Sequence, residues 1–173
     1  MEKFVALLRG INVGGHKKVP MKELKSLLEK AGYENVRTLL ASGNVVLEGK
    51  KEWTDSLPDI LEKKLGFPIG VIIIPFERIM AIVRSDPFGM IDLTPDTRLY
   101  VTFLGKRKKS GLAIPYESED GSFRIIGQTD LAVYSVLNLG KIKTTDAMVI
   151  LDREFGKDIT TRNYNTVVKI TGM

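Results

Sequence analysis

Three short segments of this 173-residue chain concentrate the side chains best equipped for chemistry. The first, Arg9-Gly10-Ile11-Asn12-Val13-Gly14-Gly15-His16-Lys17-Lys18, mixes glycine with cations. Glycine frees the backbone to turn several N–H groups toward one anion, and Arg9 or Lys17 would supply the countercharge. The segment is not a nucleotide phosphate loop. Gly10 and Gly15 have the spacing, but His16 stands where the lysine belongs and no Ser or Thr follows Lys17. Nor does it hold the G-x-G-x-x-G of a dinucleotide fold. The competing reading is that these glycines only permit a tight exposed loop.

The second segment, Ser42-Gly43-Asn44, offers a hydroxyl and a carboxamide, although a turn alone would also choose Gly and Asn. In the third, Thr160-Thr161-Arg162-Asn163-Tyr164-Asn165-Thr166, Thr160 or Thr161 reads as a helix N-cap. Arg162, Asn163 and Asn165 exceed what a helix start requires, so they either satisfy buried backbone groups or line a site.

Other polar clusters carry less. Lys106-Arg107-Lys108-Lys109 is a basic run at a strand end, usually a solvated surface and otherwise a phosphate contact. RNA binding on a sheet needs exposed aromatics on the central strands, and the candidate strands supply only Phe4. Glu117, Glu119 and Asp120 sit in turn-like sequence and read as surface. His16 is the one imidazole, and a lone loop histidine is more often a bystander than a base. With 26 Lys and Arg against 21 Asp and Glu, the net charge of +5 favours anionic partners without choosing among nucleic acid, nucleotides and phosphorylated metabolites. The absence of cysteine excludes disulfides, thiol nucleophiles, iron–sulfur clusters and Cys-bearing zinc sites, and a single histidine excludes a multi-histidine metal site. No metal and no resident cofactor are expected.

These segments need elements to position them, and a chain of this length hides about 70% of its unfolded surface, enough for a real core. Residues 3–9 form an apolar strand. Pro20 opens a helix with Met21, Leu24, Leu27, Leu28 and Ala31 at helical spacing, and Gly32 ends it. Residues 36–40 and 45–47 form a hairpin turned by Ser42-Gly43-Asn44. A second helix carries Leu57, Ile60, Leu61 and Leu65, its start drawn toward Ser56 by Pro58. Residues 71–74 return as a fourth strand.

This β-α-β-β-α-β order predicts a ferredoxin-like half over residues 1–75. In its antiparallel sheet of order 4-1-3-2, the loop after the first strand lies beside the Ser42-Gly43-Asn44 turn. A linking helix and loop occupy residues 76–96. The same order is expected again over residues 97–173. A strand at 99–104 is followed by a connector at 110–116 with room for one helical turn. A hairpin joins 123–126 to 131–136, a helix carries Ala147, Met148, Leu151 and Phe155, and a short strand at 159–160 precedes a C-terminal helix. The fold class is therefore α+β: two ferredoxin-like halves with antiparallel sheets, a linking helix and a C-terminal helix. No stretch approaches the roughly 20 apolar residues that span a bilayer, and no signal-peptide pattern opens the chain, so no membrane partner is expected and the cytoplasm is the default compartment.

The strings ALLRGINVGG, VRTLLASGNVVLE, DPFG and TTRNYNTVVK, in this order, resemble the bacterial domain-of-unknown-function family 1697 over nearly the whole chain. Arg9, Gly10, Ile11, Asn12, Val13, Gly14 and Gly15 stand in its first motif, Ser42, Gly43 and Asn44 in its second, and Arg162, Asn163, Asn165 and Thr166 in its last. Tyr164 replaces the family's usual Trp and Asp86 its usual Asn. Gly140-Lys141-Ile142-Lys143-Thr144-Thr145 stands where the family tends to have G-R-S-K-L-T, so Lys143 keeps the cation while Ile142 removes a hydroxyl. The resemblance implies a two-part ferredoxin-like fold and no assigned activity.

The leading functional expectation is a cytoplasmic module that binds an anionic or polar small ligand at the strand-end edge of the first half. Its candidate ligand-binding residues are Arg9, Asn12, Gly14, Gly15, Lys17, Ser42, Gly43, Asn44, Lys143, Arg162, Asn163 and Asn165. One alternative is an enzyme acting there on a phosphorylated small molecule, with Lys17 or Arg162 stabilising developing charge. Another is a nucleic-acid or protein-interaction module using a basic face that includes Lys106 to Lys109.

Overall fold

The computed structural model describes residues 1–12, 14, 17–106, 108 and 110–173. The chain divides into two compact units, Met1–Ala81 with Lys169–Met173, and Ile82–Val168.

In the first unit β1 (Glu2–Arg9), β2 (Glu34–Leu39), β3 (Asn44–Gly49) and β4 (Gly70–Pro75) form one antiparallel sheet of order β2-β3-β1-β4. This is the expected 4-1-3-2 order. β1 is central, pairing Leu7 with Asn44 of β3 and Arg9 with Gly70 of β4. Its apolar run is explained by burial of both faces: alternate side chains point oppositely, and Phe4 through Leu8 are all buried. Phe4, Ala6 and Leu8, with Val45 and Leu47 of β3, form a core with Leu24 and Leu28 of α1 (Met21–Lys30) and Leu57 and Leu61 of α3 (Leu57–Leu65). Between β3 and α3 lies a single turn, α2 (Lys51–Thr54). Pro58 stands in the first turn of α3, where its missing N–H costs no helical bond, so α3 starts there rather than continuing from Trp53. Tyr33 meets the Trp53 ring edge-on at 6.0 Å, and its hydroxyl donates to the Trp53 carbonyl at 2.7 Å. Arg37 Nη1 donates to the Met173 carbonyl at 2.6 Å, tying β2 to the far end of the chain.

α4 (Phe76–Arg84) leads into the second unit, whose sheet contains β5 (Thr97–Leu104), β6 (Tyr116–Glu117), β7 (Phe123–Gln128), β8 (Ala132–Asn138) and β9 (Ile159–Asn163) in the order β6-β7-β8-β5-β9. Without β6, this is the strand order of the first sheet again. α5 (Thr144–Phe155) packs Ala147, Leu151 and Phe155 against Leu104, Phe123, Ile125, Val133 and Leu137.

The α+β class with two antiparallel sheets is as the sequence predicts, and two details of the second half differ. Its first helix is absent among the described residues, and the edge strand β6 takes its place. The physical reason lies in the period of the apolar residues. Leu112, Ile114 and Tyr116 alternate, and all three pack on the core from a segment of bends that leads into β6. The other difference is β9, which continues to Asn163, so that α6 (Tyr164–Thr171) begins after Arg162 and Asn163. Thr160 and Thr161 are therefore strand residues, and the cap is Asn163, whose Oδ1 accepts the Asn165 N–H at 2.9 Å.

Ser135 stands on β8 between Val133 and Leu137 of this core, fully buried, its hydroxyl without a hydrogen-bond partner among the described residues. An unpaired buried hydroxyl is costly, so Ser135→Ala is expected to leave stability unchanged or raise it by about 1–2 kcal/mol. A urea midpoint at or above that of the parent protein, with an unchanged denaturant slope, is the expected reading; a clearly lower midpoint would mean that the hydroxyl has a partner after all.

Candidate functional site

In the first unit the expected neighbours meet. The Leu8 N–H donates to the Gly43 carbonyl at 2.8 Å, bringing the loop after β1 against the turn between β2 and β3. Asn12 fastens the two together. Its Nδ2 donates to the carbonyls of Val19 (3.0 Å) and Ala41 (2.7 Å), and its Oδ1 accepts the Val19 N–H at 2.7 Å. Its φ of 55° is left-handed, a conformation that Asn tolerates. Asn12 thus serves the loop rather than offering its carboxamide outward.

Asn44 is turned inward as well. It is fully buried, and its Nδ2 donates to the Leu39 carbonyl (2.9 Å) and to Ser42 Oγ (3.0 Å), which fixes the turn from inside. Gly43 provides the close approach, with a φ of 78° and no room for a β-carbon beside Leu8 and Ile11. Lys17 reaches away from the turn, its Nζ donating to the Pro68 carbonyl at 3.1 Å and lying 5.5 Å from the centre of the Phe67 ring. Gly14 is exposed. Gly15 and His16 lie outside the described residues, as do Arg107 and Lys109 of the basic run.

The pleat divides this set. Phe4, Ala6 and Leu8 face the helices, so Leu7 and Arg9 face the other way, as does Asn44 opposite Leu7. On the helix side, a cavity of about 430 Å³ lies against the start of α1, lined by Asn12, Lys18, Val19, Pro20, Met21 and Ala41. Among the described residues Lys18 is the cation at this cavity. The order of residues alone could not separate it from Lys17; only the tie from Lys17 to Pro68 does. No side chain caps the first turn of α1 among the described residues, and Pro20 precedes it. An uncapped helix start attracts anions through its N–H groups and dipole.

The other predicted residues belong to the second unit. Arg162 is buried, and its Nη1 donates to Thr160 Oγ1 (2.7 Å) and the Thr161 carbonyl (2.9 Å), both on its own strand. Burial pulls its pKa down to about 10. Asn163 is on the opposite face of β9. With Asn165 it lines a cavity of about 260 Å³ whose other walls are Leu93, Thr94, Thr97, Arg98 and Leu99. Lys143 is exposed just before α5 and lines neither of these two cavities. Nothing in the run 93–99 has the glycine-rich or basic character that would single it out in the sequence.

Strand order and helix placement define an α+β protein built on two antiparallel sheets, the first with ferredoxin-like connectivity throughout. The chain belongs to the family described as protein of unknown function, DUF1697, whose model matches residues 1–129. The match takes in Arg9 to Asn44 and ends before β8. Among solved structures, the conserved bacterial protein SP0830 from Streptococcus pneumoniae is similar, with a TM-score of 0.69 at 21% identity, over 99% of this chain and 97% of that one. No curated protein matches the chain. Among the described residues no helix is long and apolar enough to cross a membrane, and no group of three or more acidic or histidine side chains is placed to hold a metal ion.

Proposed function

We propose that this protein is a binding module for a small anion, held in the first unit where the loop after β1 meets the start of α1. The observation that supports this best is the Asn12 clamp, which joins Val19 and Ala41 at a cavity carrying Lys18 and an uncapped helix start. Lining residues tied together before binding spare the ligand the entropy of ordering them. The described lining contains one cation and no carboxylate, so it favours negative charge. Arg9 stands at the same end of the sheet on the opposite face and adds to the field there without lining the cavity. Ser42 belongs to the turn that the clamp holds. The setting proposed is a bacterial cytoplasm, supported by the bacterial origin of the similar structure and by the phosphorylated metabolites such a compartment offers.

Thermal shift against inorganic phosphate, pyrophosphate, nucleotides and sugar phosphates tests the reading. A ligand at a hundredfold excess over its Kd should raise Tm by about 5–10 °C for a chain of this size. Lys18→Gln should remove that shift at an unchanged apo Tm, and Arg9→Ala should weaken it less. If no small anion shifts Tm while a DNA or RNA duplex binds with a steep salt dependence, the basic-face alternative replaces this one.

A further inference from the structure

The second unit carries its own cavity, and the residues lining it have hydrogen-bonding capacity to spare. Asn163 uses Oδ1 to cap α6, which leaves the two N–H bonds of its Nδ2 without a partner among the described residues. The Asn165 carboxamide is exposed and likewise without one. Arg98 donates through Nη1 to the carbonyls of Pro95 (2.7 Å) and Thr97 (2.8 Å), so its guanidinium is held in place while, among the described residues, Nε and Nη2 keep their protons available. Thr94 and Thr97 are locked to each other, hydroxyl to hydroxyl at 2.9 Å, with the Thr94 N–H also donating to Thr97 Oγ1 at 2.9 Å. Leu93, 69% exposed, and Leu99 supply apolar wall.

We infer that this cavity binds a small carboxylic acid with a short aliphatic body. Its described lining holds a guanidinium, spare amide donors and no acidic group, so it selects an anion. A planar guanidinium fork matches a carboxylate better than any other small anionic group except phosphate, and the two leucines select a carbon chain over a bare ion. At about 30 Å³ per water, 260 Å³ admits a ligand of roughly six to ten non-hydrogen atoms. A hydroxyl on the chain would meet the Asn165 carboxamide. The arrangement also answers what the Arg162-Asn163-Tyr164-Asn165 segment is for: Arg162 serves the strand, and the two asparagines serve the cavity.

The test is NMR titration of the side-chain NH₂ groups of Asn163 and Asn165 and of Arg98 Nε–H with butyrate and 3-hydroxybutyrate, with butyramide and inorganic phosphate as comparisons. Saturable shifts with the two acids, and binding of butyramide at least about tenfold weaker, are expected. Asn163→Asp separates folding from binding. Aspartate caps as well as asparagine, so Tm should hold, while loss of the two donors and gain of a negative charge should weaken the acids at least about tenfold. Asn165→Ala should weaken them in the same direction, and it is the variant to rely on should Asn163→Asp fold poorly. Lys18→Gln, which tests the first-unit site, should leave these shifts unchanged. Absence of saturable shifts with either acid, unchanged affinity in Asn163→Asp or Asn165→Ala, or preference for phosphate over the acids overturns the inference.

Discussion

Gly43→Ala is expected to destabilise the protein by about 3 kcal/mol or more, a large part of the whole stability of a typical domain. Two costs combine. The residue holds φ at 78°, where a β-carbon is strained, and that carbon would sit 2.8 Å from Leu8 Cβ and 2.9 Å from Ile11 Cδ1. Both neighbours are buried, and Leu8 is part of the central strand, so its Cβ cannot yield without moving the sheet. Gly10 is the internal control. Its φ is 73°, but no atom lies within 4 Å of a β-carbon there, so Gly10→Ala should show the backbone cost alone, about 1 kcal/mol. Urea unfolding of the two variants side by side measures the difference. Equal losses would mean that the turn shifts away from β1 when crowded.

Asn12→Ala should cost about 3 kcal/mol, roughly 1 kcal/mol for each of the three hydrogen bonds it removes, since both bonded backbone groups of Val19 belong to a buried residue. Asn12→Asp should do no better: it keeps the acceptor for the Val19 N–H but sets a carboxylate against the carbonyls of Val19 and Ala41. Faster hydrogen exchange at the Val19 amide, together with a lowered urea midpoint, is the expected signature. A variant as stable as the parent that had lost only ligand binding would make Asn12 a binding residue instead of a clamp.

The sheet of the first unit was legible because its signals agree: an apolar run at residues 4–8, a turn tripeptide at 42–44, and leucines at helical spacing on either side. That topology also placed the Asn12 loop beside the Gly43 turn. What could not be read was which polar side chains turn inward. Asn12, Asn44 and Arg162 look in sequence like groups offered to a ligand, yet each forms hydrogen bonds to backbone or side-chain groups around it. Side-chain direction follows from register, and one step along a strand reverses it, as Arg162 and Asn163 show. The missing helix before β6 has a similar origin, since a repeated order of elements invites completion even where Leu112, Ile114 and Tyr116 keep a strand's period. Lys18, Thr94 and Arg98 gained their interest only from the cavities they line.

The division of the first unit into Met1–Ala81 and Lys169–Met173 has a consequence for how the protein is made. A ribosome adding about 5–20 residues per second delivers the intervening stretch in roughly ten seconds. Within that interval the first sheet and its helices emerge, while Ile170, which belongs to this unit and is fully buried in the finished protein, has yet to be synthesised. Arg37 likewise waits for the Met173 carbonyl to which it will donate. The nascent first unit therefore spends its early life short of one apolar piece, and a chaperone that shields such surface would have its longest opportunity there.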